Sequence, residues 1–292
     1  MSDVSEADVF ETSRPRLLGL AYRMLGTLAD AEDVVQEAWL RWNAADAASI
    51  DNPGGWLTTV TTRLSLDRIK SAQRRREDYP GPWLPEPVVT DGSPEGAAVL
   101  SDSLTLGFLT LLDRLGPVER AVFLLADVFG VPYAEVADAV GKSEVACRQI
   151  ASRSRRRLQG IHPRKPTGEE RRMVDELIVA MAMGDIETVL ARLAPDAVCI
   201  SDGGPTRRAA RRPVVGADRV ARLLINVTRK FVAGNVSSVP ATINGDPGVI
   251  VSAGDEIDSV LAFEVDGDRV ATIWIVRNPE KLDHVLAPVA LR

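Results

Sequence analysis

Hydrophobic positions in the first quarter of the chain recur at helical intervals. In ADAEDVVQEAWLRW (29–42), Val35, Ala38, Trp39 and Trp42 fall on one face of a helix, and Asp30, Asp33 and Glu37 on another. The pattern stops in AADAASIDNPGG, where Asn52-Pro53-Gly54-Gly55 is a strong loop signal. It resumes in WLTTVTTRLSLDRIKSAQRRR (56–76), a predicted helix that buries Leu57, Val60 and Leu64. The same helix shows Thr59, Arg63, Lys70 and Arg74 as a stripe interrupted by Asp67. The stretch YPGPWLPEPVVTDGSPEG (79–96), with five prolines and three glycines, reads as a linker.

Helical spacing returns at Leu104, Phe108, Leu111, Leu112 and Leu115 and breaks at Gly116-Pro117. VERAVFLLADVFG then predicts a further helix. YAEVADAVGKSEVACRQIASRSRRRL (133–158) has helix–turn–helix spacing. Ala137 lets two helices cross closely, Gly141 supplies a left-handed turn, and Ser143 caps the second helix with Glu144 in its first turn. Val140, Cys147 and Ile150 are expected inside. Glu144, Arg148, Gln149, Ser152, Arg153 and Arg156 are left outside. Beyond residue 167 the pattern changes to two helical segments, 168–183 and 185–193, followed by strands. VLAFEVDGDRVATIWIV (260–276) predicts a hairpin about its Asp-Gly turn. The expected blocks are therefore 1–78, a linker at 79–96, 97–160, a linker at 161–167, and 168–292. The first two are all-α and the third mixes helices with strands.

Charge changes this picture at one place. The chain carries 35 Lys+Arg against 41 Asp+Glu, a formal net charge of −6, yet residues 142–165 hold eight cations and one acid. Solvated helices usually mix signs for i,i+4 pairing, so a nearly one-signed helix favours a polyanion partner over a merely solvated face. Arginine matches both phosphate oxygens and guanine edges. The two cysteines, Cys147 and Cys199, show no pairing or ligand spacing, and no metal or cofactor is expected. The acidic N-terminus lacks a signal-peptide core and no apolar run reaches membrane-spanning length, which leads to the expectation of a cytoplasmic location.

DAEDVVQEAWLRW, a Trp-containing basic helix, a linker and a helix–turn–helix, in that order, resemble the extracytoplasmic-function group of bacterial RNA polymerase sigma factors. Three further motifs resemble the subgroup with a fused SnoaL-like domain, a nuclear-transport-factor-2-like α+β cone. They are Trp83-Leu84-Pro85-Glu86-Pro87, Asp202-Gly203-Gly204 and Asn278-Pro279-Glu280-Lys281-Leu282. The resemblance implies core RNA polymerase and promoter DNA as partners, and no obligatory anti-sigma protein. Carried over, Asp30, Asp33, Gln36 and Glu37 would face the polymerase, although a solvated helix face remains a competing reading of each. The loop at 43–54 would capture an unstacked base with Asn43 or Asn52, and Arg63, Lys70 and Arg74 would contact the −10 region. Ser143, Glu144, Arg148, Gln149, Ser152, Arg153 and Arg156 would read the −35 element. The three subgroup motifs would be contacts through which the C-terminal domain modulates the sigma domains in cis.

Two other readings stay open. One is a stand-alone helix–turn–helix regulator; the other is a SnoaL-like isomerase or cyclase, with a small-molecule ligand in its C-terminal domain, fused to a DNA-binding module. Proton abstraction needs a base and an oxyanion donor. The third block offers Asp202 but no tyrosine, because Tyr22, Tyr79 and Tyr133 all precede it. Asp202 beside two glycines also reads as a simple turn residue.

Overall fold

The computed structural model describes residues 6–46, 49–77, 79–90, 105–158, 167–232 and 236–285. The chain divides into two compact units. One takes the residues before 79 together with 108–158; the other takes 79–90, 105–107 and 167–285. Residues 79–90, a linker by composition, thus fold with the C-terminal unit.

The first unit is helical. Helices α1 (Glu6–Leu25), α2 (Leu28–Asn43) and α3 (Pro53–Glu77) pack together around Leu17, Leu20, Tyr22, Met24, Trp42, Leu57 and Ile69, all almost fully buried. Val60 and Leu64, expected inside, are only half-buried. The inner stripe of α3 instead runs through Thr58, Thr61, Thr62 and Ser65. Three of these hydroxyls return their hydrogen bond to the preceding turn: Thr58 to Gly54 O (2.7 Å), Thr62 to Thr58 O (2.7 Å) and Ser65 to Thr61 O (2.8 Å). Small hydroxyl residues can therefore line a close helix contact without losing their donors to an apolar environment.

Helices α4 (Leu106–Leu112) and α5 (Pro117–Phe123), the latter continued by a π-helical turn at Leu124–Val128, lead to α6 (Tyr133–Val140) and α7 (Glu144–Arg157). Arg120, 2% exposed, ties this half to the first. Its guanidinium donates to Leu112 O (3.0 Å), to Met24 O at the end of α1 (2.8 Å) and to Asp113 (2.5 Å). A buried arginine is tolerable here because its donors meet two carbonyls and a carboxylate.

In the second unit, α8 (Gly168–Met183), α9 (Ile186–Arg192) and α10 (Ala217–Val232) pack on a six-stranded sheet. Its order is β2 (Val214–Val215), β1 (Leu193–Asp202), β6 (Arg269–Val276), β5 (Glu256–Asp266), β4 (Asp246–Ala253), β3 (Val236–Ile243). Among the described strands, only the β1–β6 pair is parallel. The β5–β6 hairpin turns at Gly267, φ +63°, where the Asp-Gly signal placed it. Leu177, Val189, Cys199, Val220, Phe263 and Ile273 lie at the centre of the core between helices and sheet. Burial alone pushes the Cys199 thiol up to about 12, so it packs as a small hydrophobe. This is the expected architecture: two helical blocks followed by an α+β domain.

Candidate nucleic-acid interface and linker-holding site

The helix–turn–helix forms from local signals. Gly141 closes α6 at φ +66°, ψ +42°, a conformation that costs other residues roughly 1–2 kcal/mol. Ser143 Oγ accepts from Ala146 N (3.2 Å) and starts α7. Cys147, Ile150, Ala151 and Ser154 turn inward, while Val140 is half-buried. The opposite face of α7 carries Val145, Arg148, Gln149, Ser152, Arg153 and Arg156 along one open groove. All six are exposed. Arg148 pairs with Glu144 (2.7 Å) and sits over the Tyr133 ring, so the first two turns are already oriented. Arg155 and Arg157 point elsewhere, to Asp127 (2.6 Å) and Glu119 (2.7 Å). The excess of arginine thus divides into pairs that fix α7 on its scaffold and a face with cations to spare.

Arg63 does not stand free on its stripe. Its guanidinium donates to Asp138 O (2.7 Å) and Ala139 O (3.4 Å), capping the C-terminal end of α6, where carbonyls lack helical partners. Lys70 and Arg74 fall on α3, but their side chains lie outside the described residues. Asn52 is used locally: its Oδ1 accepts from Gly55 N (3.0 Å) at the start of α3. On α2, Asp30 accepts from Thr27 Oγ1 (2.8 Å) and from Arg68 (2.8 Å), and Asp33 also pairs with Arg68. Glu37 pairs with Arg41 (3.0 Å), and Gln36 is exposed beside the exposed Leu40. The acidic row is thereby partly neutralised from within the chain by Arg68, a residue the helical pattern did not single out.

The three subgroup motifs come together in the second unit. Asp202, 1% exposed, ends β1 and is surrounded by donors. Its carboxylate accepts from Lys281 Nζ (2.7 Å), Leu84 N (2.9 Å), Gly204 N (2.9 Å) and Tyr79 Oη (2.5 Å). Lys281, 5% exposed, also donates to Leu84 O (2.5 Å) and lies 4.1 Å from the Trp83 ring centroid. Asn278 Nδ2 donates to Tyr79 Oη (2.9 Å), and Asn278 Oδ1 caps the short turn Pro279–Lys281. Asp202 is therefore no simple turn residue, because it gathers two segments distant in sequence.

The glycines beside it have steric reasons. A Cβ at Gly203 would meet Arg207 O at 2.3 Å. One at Gly204, φ +58°, would meet Asn278 at 2.5 Å. Leu84 is 1% exposed. Pro85, Glu86 and Pro87 follow it as a buried run. His284 Nδ1 meets Glu86 Oε1 (2.8 Å) and its Nε2 faces Pro87 O (2.9 Å). Farther along, Val88 N donates to Asn244 Oδ1 (2.9 Å) and Thr90 N to Thr242 O (2.9 Å), so the segment runs beside β3.

Tyr79 corrects the sequence argument. The C-terminal block has no tyrosine of its own, but the fold imports one from upstream and sets it on Asp202. Burial first, then the Asp202 hydrogen bond, pushes its phenol well above its ordinary value. Tyr79, Asn244 and His284 were not read as contacts of this site. Only Tyr79 had a signal, standing at the head of the proline-rich run.

Residues 9–75 match the Sigma-70 region 2 family and residues 106–158 the Sigma-70, region 4 family. The chain is 39% identical to the ECF RNA polymerase sigma factor SigJ of Mycobacterium tuberculosis, over 94% of this chain and 93% of that protein. It is 34% identical to a probable ECF RNA polymerase sigma factor, SigI, of the same species, over 94% and 93% of the two chains. The crystal structure of M. tuberculosis SigJ superposes with a TM-score of 0.79 at 37% identity, covering 94% of this chain and 97% of that one. With regions 2 and 4 in its helical unit and this likeness extending through its α+β unit, the chain belongs to the extracytoplasmic-function RNA polymerase sigma factors, in the type with a SnoaL-like C-terminal domain.

Proposed function

We propose that this sigma factor brings core RNA polymerase to promoters read at two elements, and that its C-terminal domain modulates it in cis by holding the linker between regions 2 and 4. The exposed face of α7, with Arg148, Gln149, Ser152, Arg153 and Arg156, reads the −35 element, Ser143 and Glu144 setting the helix start. Arg63, Lys70 and Arg74 serve the −10 region, Arg63 after leaving the end of α6. Asp30, Asp33, Gln36 and Glu37 meet the polymerase, with Arg68 holding the first two in place until they dock.

Cis control rests on one observation: the Asp202 carboxylate binds both the linker and the 278–282 segment. Releasing the linker strips donors from a buried charge, so the held state is strongly preferred until something competes for it. Holding of this kind makes a separate anti-sigma protein unnecessary, and the site of action is the cytoplasm. A catalytic role for Asp202 is disfavoured by the same contacts. Its oxygens are already engaged by four donors, one a lysine, within the fold rather than held ready for a substrate proton.

In-vitro transcription with core polymerase on a promoter library tests the reading. Specific starts are expected only when chain and core are both present. Chains lacking 166–292, or only 278–292, should differ in output from the full chain and from each other. Equal output from all three would overturn cis control, while specific starts without the chain or without core would overturn the sigma function.

A further inference from the structure

Arginine is gathered in three one-signed stretches of this acidic chain. Two lie in the sigma regions, at 70–76 and 148–157; the third, RRAARR (207–212), lies in the C-terminal domain. Between Asp202 and Asp218 there are four arginines and no acid.

The backbone of this loop is fixed. Arg207 N donates to Gly203 O (3.0 Å), Ala210 N to Ser201 Oγ (2.9 Å), and Arg277 to Arg208 O (2.8 Å). Arg277 is itself held on the buried Asp258 (2.8 Å), which Arg207 also approaches (3.6 Å). The exposed Glu256 stands 4.0 Å from Arg207. Those two acids serve Arg207 and Arg277. Arg208, Arg211 and Arg212 are exposed and make no side-chain hydrogen bond or ion pair among the described residues.

We propose that Arg208, Arg211 and Arg212 form a third DNA contact of this sigma factor, binding backbone phosphates of duplex DNA. The inference rests on the sigma-factor reading of the chain. Three guanidiniums on a pre-formed loop lose little backbone entropy on binding, and each offers a fork that fits phosphate oxygens. The site is assigned to charge rather than sequence, because the loop presents neither a helix nor a two-stranded ribbon of the kind that enters the major groove. The loop also touches the held linker: a Cβ on Gly81, φ +112°, would meet Arg211 Cα at 3.3 Å. DNA seated on the loop therefore lies against the segment that cis control must release.

The full chain, the R208Q/R211Q/R212Q variant and a control, R172Q/R219Q/R222Q, are titrated onto a fluorescent duplex of about 40 base pairs between about 50 and 200 mM salt. Removing two to three phosphate contacts should flatten the log K against log salt slope by about 2–3 and weaken binding about tenfold or more at the lowest salt. The control should follow the parent, and R208K/R211K/R212K should recover the slope, which separates lost charge from damaged folding. A glutamine variant indistinguishable from the control overturns the proposal. So does a variant with the parent slope but weakened affinity for core polymerase, which assigns the loop to an acidic protein surface. Failure of the sigma function appears separately, as the absence of specific starts from the parent with core, and the titration still decides the loop.

Discussion

Lys281 and Asp202 form a buried pair whose members depend on each other. Removing one charge leaves the other desolvated, a loss of about 3–5 kcal/mol for a pair this buried. K281M is therefore expected to lower the denaturant midpoint of the C-terminal unit sharply, and K281M/D202N to recover part of the loss. Additive losses in that cycle would show that the pair is not coupled. Tyr79 gives a pH signature. Its folded value lies above the ordinary 10.0, so above that pH the unfolded chain releases a proton that the native chain keeps. The contribution is complete below about pH 10 and is lost as pH rises beyond it. Linker protection followed by hydrogen exchange or proteolysis should fall there, and Y79F should remove the dependence while costing about 1–2 kcal/mol in hydrogen bonds. The resemblance marked these motifs as contacts, but the pairing itself was not visible in the sequence. A carboxylate beside two glycines looks alike whether it makes a turn or collects donors from segments 118 and 79 residues away.

At the scale of the element, α7 and its turn were the most legible parts. Gly141, Ser143, Cys147 and Ile150 act through backbone conformation, capping and spacing, all of which are local. α3 was misread for a physical reason. Helical spacing was scored on large apolar residues, whereas threonine and serine share the buried face of this helix with Leu57 and Ile69. One of these hydroxyls, Thr61 Oγ1, is buried with no hydrogen-bond partner among the described residues, so T61V should be neutral or stabilising by about 1 kcal/mol. A clear loss of thermal stability in T61V would mean that the hydroxyl is satisfied in solution. On α7, Q149A should alter discrimination at one base position with little change in salt dependence, whereas R153A should weaken binding to all sequences and reduce the salt slope by about one. Parallel binding assays on single-base variants of the −35 element separate the two effects.

Across the whole molecule, the order of blocks was readable because a proline-rich stretch separates the two helical blocks and the hydrophobic period changes in the third. The assignment of residues 79–90 to the C-terminal unit was not readable from composition, which describes stiffness and says nothing about what a segment rests on; only the resemblance marked residues 83–87 as a contact. Where that strip rests matters to promoter geometry. Twelve residues paid out as extended chain reach roughly 40 Å, the rise of about 12 base pairs of duplex. On the proposed cis control, a sigma factor that keeps the strip stowed would serve closely set recognition elements, and one that lets it go would straddle wider ones. Promoters graded in the distance between their two elements should thus rank differently for the parent and for a chain in which Asp202 has lost its hold, making that carboxylate a setter of stride.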